Sequence, residues 1–443
     1  MIKISLLTLP LLTLLLGCDP NGSGRIAEAG RIQLIERPSA DEAAIISREL
    51  DYQNDDRISY CEVLASDSSS YSGYRDLKLY PLASLSKVVT TAWVLKKLGP
   101  DFQFRSTWFI KPVPHKPGQF DAFLKTNYDP VFNLEKVLYS LSLLSAQGVQ
   151  SIRNLVIDES TRVYLSALSQ PHIELENVPI NSSETLQNLK LILNSSNWST
   201  QTRAAKQRLQ AWAVSNKKKL NVPTVFSVDK VEIRSASTLN QNEYTQQIHI
   251  ESSTVLKYLK NLNVFSNNYI SDALFAYLGG ASEFRKFQNS ELGLSEKDLI
   301  LHTGSGLADN SSGVRKDNVG TCAAMLKVLN YIDQKAARTG LNLGHVLYNP
   351  AQDREGTFES SLDFTNQVVI KTGRLFEKPT LNLAGITATT KGSLYFAFLG
   401  HNFTSNEAAE IELARDKMLT SGLEYYPTKD TFLTMSEFQI FLK

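Results

Sequence analysis

The chain has 443 residues, longer than one average domain, and its 42% apolar and 21% charged residues are ordinary for a globular protein with a packed core. Lysine and arginine number 46 against 45 aspartate and glutamate, a net charge of +1. Such a chain has no overall positive field to collect phosphates, which argues against a nucleic-acid partner.

Lys3 supplies a short positive region, and an apolar stretch from Ile4 to Leu16 follows it. The stretch is too short for a bilayer-spanning helix, which needs about 20 apolar residues. It has the length of a signal-peptide core, so residues 1–17 read as a signal peptide. Leu15-Leu16-Gly17-Cys18 resembles the bacterial lipobox. That resemblance implies cleavage before Cys18, lipidation of its thiol, and an exported, periplasmic protein anchored to the membrane by lipid. Asp19 resembles the residue that retains lipoproteins at the inner membrane of some Gram-negative bacteria. Residues 18–37, rich at first in Gly, Pro, Ser and Asn, read as a flexible tether.

Polar and apolar residues alternate from Asp56 to Ala65, a strand signal, and the Ser-rich stretch Ser66 to Tyr74 reads as turns. A helix is expected from about Ser84 to Leu98, with Leu85, Val88, Val89, Ala92 and Leu95 on one face and Gly99-Pro100 as its stop. Residues 106–249 mix strand-like pieces such as 154–158 with polar helical stretches such as 200–219, and read as an inserted second domain. Helical spacing returns with Val255, Tyr258, Leu259 and Leu262, then with Ile270, Ala273, Leu274, Tyr277 and Leu278. Val368-Val369-Ile370 reads as a strand. A hairpin over 383–399 turns at 390–393, and a last helix covers about 407–419. Strands at both ends of the chain imply an α+β domain over residues 38–105 and 250–443. Cys61 and Cys322 lie far apart in sequence. Although an oxidising compartment permits a disulfide, the expectation is two small, buried, apolar residues. The six histidines are scattered and no cysteine–histidine cluster has zinc spacing, so no metal or other cofactor is expected.

The chemistry lies in three short motifs. In Ser84-Leu85-Ser86-Lys87, a serine opens a helix with a lysine at i+3, which brings an amine beside a hydroxyl that needs a base. The helix start also offers backbone N–H groups to a developing oxyanion. Ser266-Asn267-Asn268 supplies a hydroxyl that can relay a proton and a carboxamide that can hold an amide. Lys371-Thr372-Gly373, at the end of an apolar strand, supplies a cation and a hydroxyl for a carboxylate, and a glycine for close approach. Each pattern is weak alone. The first recurs at Ser215 and Ser227, and the second at Ser195-Ser196-Asn197. Of the three serine–lysine matches, only Ser84 opens a strongly amphipathic helix.

Taken in order, S-x-x-K, S-x-N and K-T-G are the signature of penicillin-recognising serine enzymes. Pro81 to Lys87 with the following helix, Ser266 to Ile270, Gly304-Ser305-Gly306-Leu307, and Lys371 to Gly373 before Ala384-Gly385 resemble the D-alanyl-D-alanine carboxypeptidase/endopeptidase family, the class C low-molecular-mass penicillin-binding proteins. Tyr128-Asp129-Pro130 and Asp158-Glu159-Ser160 echo that family's G-D-P and D-D-S segments. The resemblance implies a serine β-lactamase/transpeptidase-like domain, an antiparallel sheet flanked by helices, with an insertion. It implies peptidoglycan stem peptides as substrates and β-lactams as covalent inhibitors. It further implies Ser84 as nucleophile, Lys87 as base, Ser266 as proton relay, and Asn268, Lys371, Thr372, Gly373 and the Arg374 N–H as substrate-binding groups. Thr303 stands where the family usually has aspartate, and Arg374 where it has threonine or serine. The insertion is shorter than usual, and 165–245 lacks family landmarks. A β-lactamase and a non-catalytic penicilloyl-binding sensor or wall scaffold are the alternative readings.

Overall fold

The computed structural model describes residues 32, 34–36, 55–158, 161, 163–164, 183–353, 356–358, 364–435 and 442–443. The chain divides into a unit of residues 1–33 and a unit of residues 34–443, and every described helix and strand belongs to the second. The expected signal peptide, Cys18, nearly all of the tether, and Glu159 and Ser160 of the D-D-S echo lie outside the described residues.

One five-stranded sheet gathers strands from both ends of the chain. Its order is Val368–Leu375, Thr380–Thr389, Gly392–His401, Ile58–Leu64, Asp67–Tyr74, with every neighbouring pair antiparallel. Sheet closure therefore joins residues near 60 to residues near 400. The hairpin turns tightly, with Thr389 opposite Gly392. All seven residues of Ile58–Leu64 are buried, as a central strand between two neighbours requires.

The segment read as turns from Ser66 to Tyr74 is a strand over Asp67–Tyr74. It is the last strand at one edge of the sheet, and its first four residues are exposed or half-exposed. It therefore carries serines where an inner strand would carry valine. Cys61 and Cys322 are joined by a disulfide, their Cα atoms 5.9 Å apart. The expectation of two unpaired cysteines is corrected by the tertiary fold. Helix Cys322–Thr339 begins with Cys322 and packs on the strand carrying Cys61, an adjacency that a separation of 261 residues conceals.

A 3₁₀ turn, Ala83–Leu85, leads into the α-helix Ser86–Lys97. Periodicity implied one buried face, yet every residue from Ser86 to Leu95 is buried. The helix is wedged among Val255–Val264, Asn268–Tyr277 and Cys322–Thr339. Its polar residues are satisfied inside. Thr91 Oγ1 donates to Lys87 O at 2.7 Å, and Thr90 Oγ1 to Gly304 O at 2.9 Å.

A second sheet runs Gln246–Thr254, Gln103–Pro112, Gln119–Lys125, Ser151–Ile157, Ser227–Ile233. Its first two pairings are antiparallel and its last two parallel. Leu134–Ala146, Ser183–Leu193 and Thr200–Ser215 accompany it, with a core that includes Trp108, Leu138, Leu155 and Leu209. The strands Gln103–Pro112 and Gln246–Thr254 pair with each other. Both boundaries expected for the insertion, 105/106 and 249/250, fall inside this pair. Its exit and return strands hydrogen-bond as one unit, so neither divides midway.

Candidate active site

Ser84 is held from two sides. On strand Thr380–Thr389, Asn382 Nδ2 donates to Pro81 O at 2.9 Å and to Leu82 O at 3.0 Å, fixing the approach to the turn. On the other side, Gly306 adopts φ +93°, and a Cβ there would lie 1.8 Å from Ala83 O. Glycine at 306 thus lets the loop 304–307 close on the turn that carries Ser84. Ala83 itself sits at φ +47°, in a region alanine rarely enters. Asn318 ties the loop down, donating to Ser86 Oγ at 3.0 Å and to Thr303 O at 2.8 Å.

One helical turn on, Lys87 Nζ lies 2.9 Å from Ser84 Oγ, 2.5 Å from Asn268 Oδ1 and 2.9 Å from Ser305 O. Lys87 has no exposed surface, and Asn268 and Ser305 are buried. The Asn268 and Ser305 oxygens are carbonyls that can only accept, whereas the serine hydroxyl can donate or accept. A neutral amine, with two N–H groups and one lone pair, satisfies this set by accepting the Ser84 proton. An ammonium satisfies it by donating to Ser84. The proton can therefore pass between Ser84 and Lys87 without moving a heavy atom.

Ser266 stands at φ +54°, and Lys371 Nζ lies 3.2 Å from its Oγ and 2.9 Å from Thr372 O. Burial, and then the nearby Lys87, push the Lys371 amine well below lysine's usual range. Asn267 turns away from this chemistry. Its side chain caps helix Asn268–Tyr277 by accepting the Ile270 N–H at 3.0 Å.

Strand Val368–Leu375 is the sheet edge that walls the cleft. Ile370 exchanges both backbone hydrogen bonds with Tyr348 across its outer side. Strand alternation then turns the Thr372 and Arg374 N–H groups to that same outer side, while Lys371 and Gly373 bond inward to Ala384 and Asn382. A Cβ at Gly373 would lie 2.8 Å from Leu82 O, so glycine lets the strand meet the serine turn. The Thr372 hydroxyl is 2.8 Å from Thr357 Oγ1. The Arg374 guanidinium points outward, 3.7 Å from Glu412 and 5.1 Å above the Phe376 ring.

These groups line a cleft of about 1150 Å³ that holds Ser84, Ser266, Asn268, Thr372, Gly373 and Arg374. The decoys are not among its lining residues. Ser215 ends a helix beside the second sheet, Ser227 starts a strand of it, and Ser195–Asn197 is a 3₁₀ turn. Sequence reasoning missed Ser305 as a partner of Lys87, since the group used is a backbone carbonyl. It also missed Asn318, Thr357 and Asn382. No motif marks these, though the loop carrying Ser305 was noticed for its glycines.

The sequence pattern of the D-Ala-D-Ala carboxypeptidase 3 (S13) family matches residues 60–178 and 190–421. The chain belongs to that family. It is accordingly a serine-type peptidoglycan hydrolase with a penicillin-binding, transpeptidase-like fold. A comparison with curated proteins returns no match. Among solved structures, the predatory endopeptidase Bd0816 of Bdellovibrio bacteriovorus, in complex with immunity protein Bd3460, is 25% identical. The match covers 85% of this chain and 96% of that one, at a TM-score of 0.73. Bd3459, a predatory peptidoglycan endopeptidase of the same bacterium, is 24% identical over 87% of this chain and 98% of its own, at a TM-score of 0.72. Penicillin-binding protein 4 of Haemophilus influenzae shares the fold at 18% identity, with 84% and 98% coverage and a TM-score of 0.52.

Proposed function

We propose that this S13 enzyme cleaves D-alanyl-D-alanine termini and D-alanyl-diaminopimelate cross-links through an ester on Ser84. The observation that carries the residue assignment is the buried Lys87 amine 2.9 Å from Ser84 Oγ, beside a second serine–lysine pair, Ser266 and Lys371. Ser84 Oγ attacks the penultimate D-alanine carbonyl as Lys87 takes its proton. The Ser84 and Arg374 N–H groups receive the oxyanion. As the C–N bond breaks, Ser266 passes the proton to the leaving amine. Asn268 holds the substrate amide, while Lys371 and Thr372 hold the terminal carboxylate. Gly373 keeps the strand close enough for both contacts. Water then attacks the ester, releasing the acid and restoring Ser84. A β-lactam enters the same path and leaves slowly from the ester.

Ser84→Ala is expected to abolish labelling by fluorescent penicillin and to lower release of D-alanine and of uncross-linked muropeptides from sacculi by a factor on the order of a thousand. Ser215→Ala and Ser227→Ala are expected to label as the native protein does. Labelling that persists in Ser84→Ala and maps to another serine overturns the assignment.

The anchor rests on the lipobox resemblance at Cys18, and the reading is a periplasmic enzyme tethered to membrane lipid. Cys18→Ser is expected to leave the precursor uncleaved and free of acyl chains. Mass spectrometry finding the native protein's mature N-terminus elsewhere, without lipid, counts against it.

A further inference from the structure

The Gly304–Ser305 peptide is clamped at both of its polar ends. Its carbonyl oxygen accepts from Thr90 Oγ1 at 2.9 Å and from Ser271 Oγ at 2.8 Å. Its N–H donates to Asp272 Oδ1 at 2.7 Å. The next carbonyl, Ser305 O, then lies 2.9 Å from Lys87 Nζ. Ser271 and Asp272 belong to helix Asn268–Tyr277, whose first residue presents Oδ1 to the same amine. Asn268 and Asp272 are four residues apart and share a helix face. One helix therefore sets two of the oxygens around Lys87, Asn268 Oδ1 directly and Ser305 O through the clamped peptide.

A neutral acceptor would serve the clamp as well as a carboxylate does, so the charge of Asp272 calls for its own reason. Lys87 has no exposed surface. When it takes the Ser84 proton it becomes a buried ammonium, which is costly without an opposite charge. Among the described residues, the charged groups that act with it are Lys371, on strand Val368–Leu375, and Asp272. The serine turn and loop 304–307 meet it with neutral oxygens, as Asn268 does. Lys371 repels the ammonium. Asp272 attracts it, and Lys87 is the charge that Asp272 feels most strongly. Burial pushes the Asp272 carboxyl up, while its hydrogen bonds from Ser305 and the Lys87 charge favour the ionised form. Asp272 is not among the cleft-lining residues, so it acts on the amine from behind.

We propose that Asp272 is the positioning residue of Lys87, clamping the Ser305 peptide against the amine and holding a negative charge behind the ammonium as the proton leaves Ser84. The O–H bond of Ser84 breaks, its proton goes to the Lys87 lone pair, and the electron pair left on Oγ forms the ester bond. Asp272 stays ionised throughout. This role rests on the assignment of Lys87 as the base.

The test is the pH dependence of acylation of the full chain by fluorescent penicillin. Asp272→Asn keeps an oxygen for the Ser305 N–H and loses the charge. Its acylation rate at saturating drug is expected to fall about tenfold, with the concentration for half-maximal rate unchanged. Without the negative charge Lys87 is a weaker base, so the acid limb of the profile is expected about one unit lower in pH. Asp272→Glu keeps a carboxylate, and its acid limb is expected at the native position even where the longer side chain slows the rate. A clamp without an electrostatic role leaves Asp272→Asn native in rate and profile. That result, an acid limb that stays in place in Asp272→Asn, or one that moves equally in Asp272→Glu overturns the role. A native protein that is not acylated at Ser84 overturns the base assignment together with it.

Discussion

Replacing Gly306 by alanine separates two demands that the Ser84 turn makes on the chain. At φ +93°, a Cβ would lie 1.8 Å from Ala83 O and 2.4 Å from Ala83 C. Real Cβ atoms approach no closer than 3.0 Å, so one backbone segment must yield by about 1.2 Å. Both candidates to move bear on the Ser84–Lys87 pair. Ala83 precedes Ser84, and Ser305 O holds Lys87 Nζ at 2.9 Å. A misplacement of about 1 Å costs roughly a hundredfold in rate, which is the loss expected in acylation. Left-handed strain adds about 1–2 kcal/mol of instability. Gly313→Ala is the control. Gly313 also has a positive φ, +74°, but nothing lies within 4 Å of its would-be Cβ. It should lose stability and keep its chemistry. The assay is the second-order rate of labelling by fluorescent penicillin, with a thermal melt of each variant. If Gly306→Ala labels within about threefold of the native rate and melts like Gly313→Ala, the loop does not brace the serine.

Two more outcomes are expected from buried and cleft-lining charges. Burial holds the Lys260 amine at about 8 despite its partner Asp353. Between pH 8 and lysine's ordinary 10.5 the unfolded chain binds more protons than the folded one, so Lys260 makes stability rise with pH across that window. Lys260→Met should lose that rise, and should be about 3–5 kcal/mol less stable near pH 7 because Asp353 is left unpaired; matching slopes of urea midpoint against pH in both proteins would refute it. Arg374 lines the cleft with its guanidinium toward Glu412. Arg374→Thr should lower kcat/KM about fivefold more, roughly 1 kcal/mol, on cross-linked muropeptides than on a diacetyl tripeptide ending in D-Ala-D-Ala, through loss of a pairing with a stem carboxylate. Equal losses on both substrates would show that Arg374 does not read the stem.

What could be read from sequence was local. Ser84 and Lys87 share a helix face, so their meeting follows from a spacing of three residues. The strand before Lys371 follows from three consecutive β-branched residues. Groups that act through backbone, such as Ser305 O on Lys87, leave no side-chain signature. Adjacency across the chain was equally hidden. The Cys61–Cys322 bond depends on a helix crossing a strand that is completed from the other end of the chain. Asp67–Tyr74 escaped notice because an edge strand with exposed serines has the composition of a turn. The Ser215 and Ser227 matches could be set aside by helix quality; Ser215 ends a helix beside the second sheet and Ser227 starts one of its strands.

The pairing of Ile58–Leu64 with Gly392–His401 sets an order for synthesis. Ile58 meets Gly400, a partner made more than 300 residues later. At roughly 5–20 residues per second, that strand waits on the order of 15–70 s with one edge open, its seven core residues lacking their final cover. The Ser-rich neighbour, available at once, shields the other edge with a polar strand, which lowers the hazard of pairing with a second nascent chain. Lys371 arrives in the same late segment, on strand Val368–Leu375. A chain that stops short of this segment holds Ser84 and Lys87 without the sheet edge that would present a substrate to them.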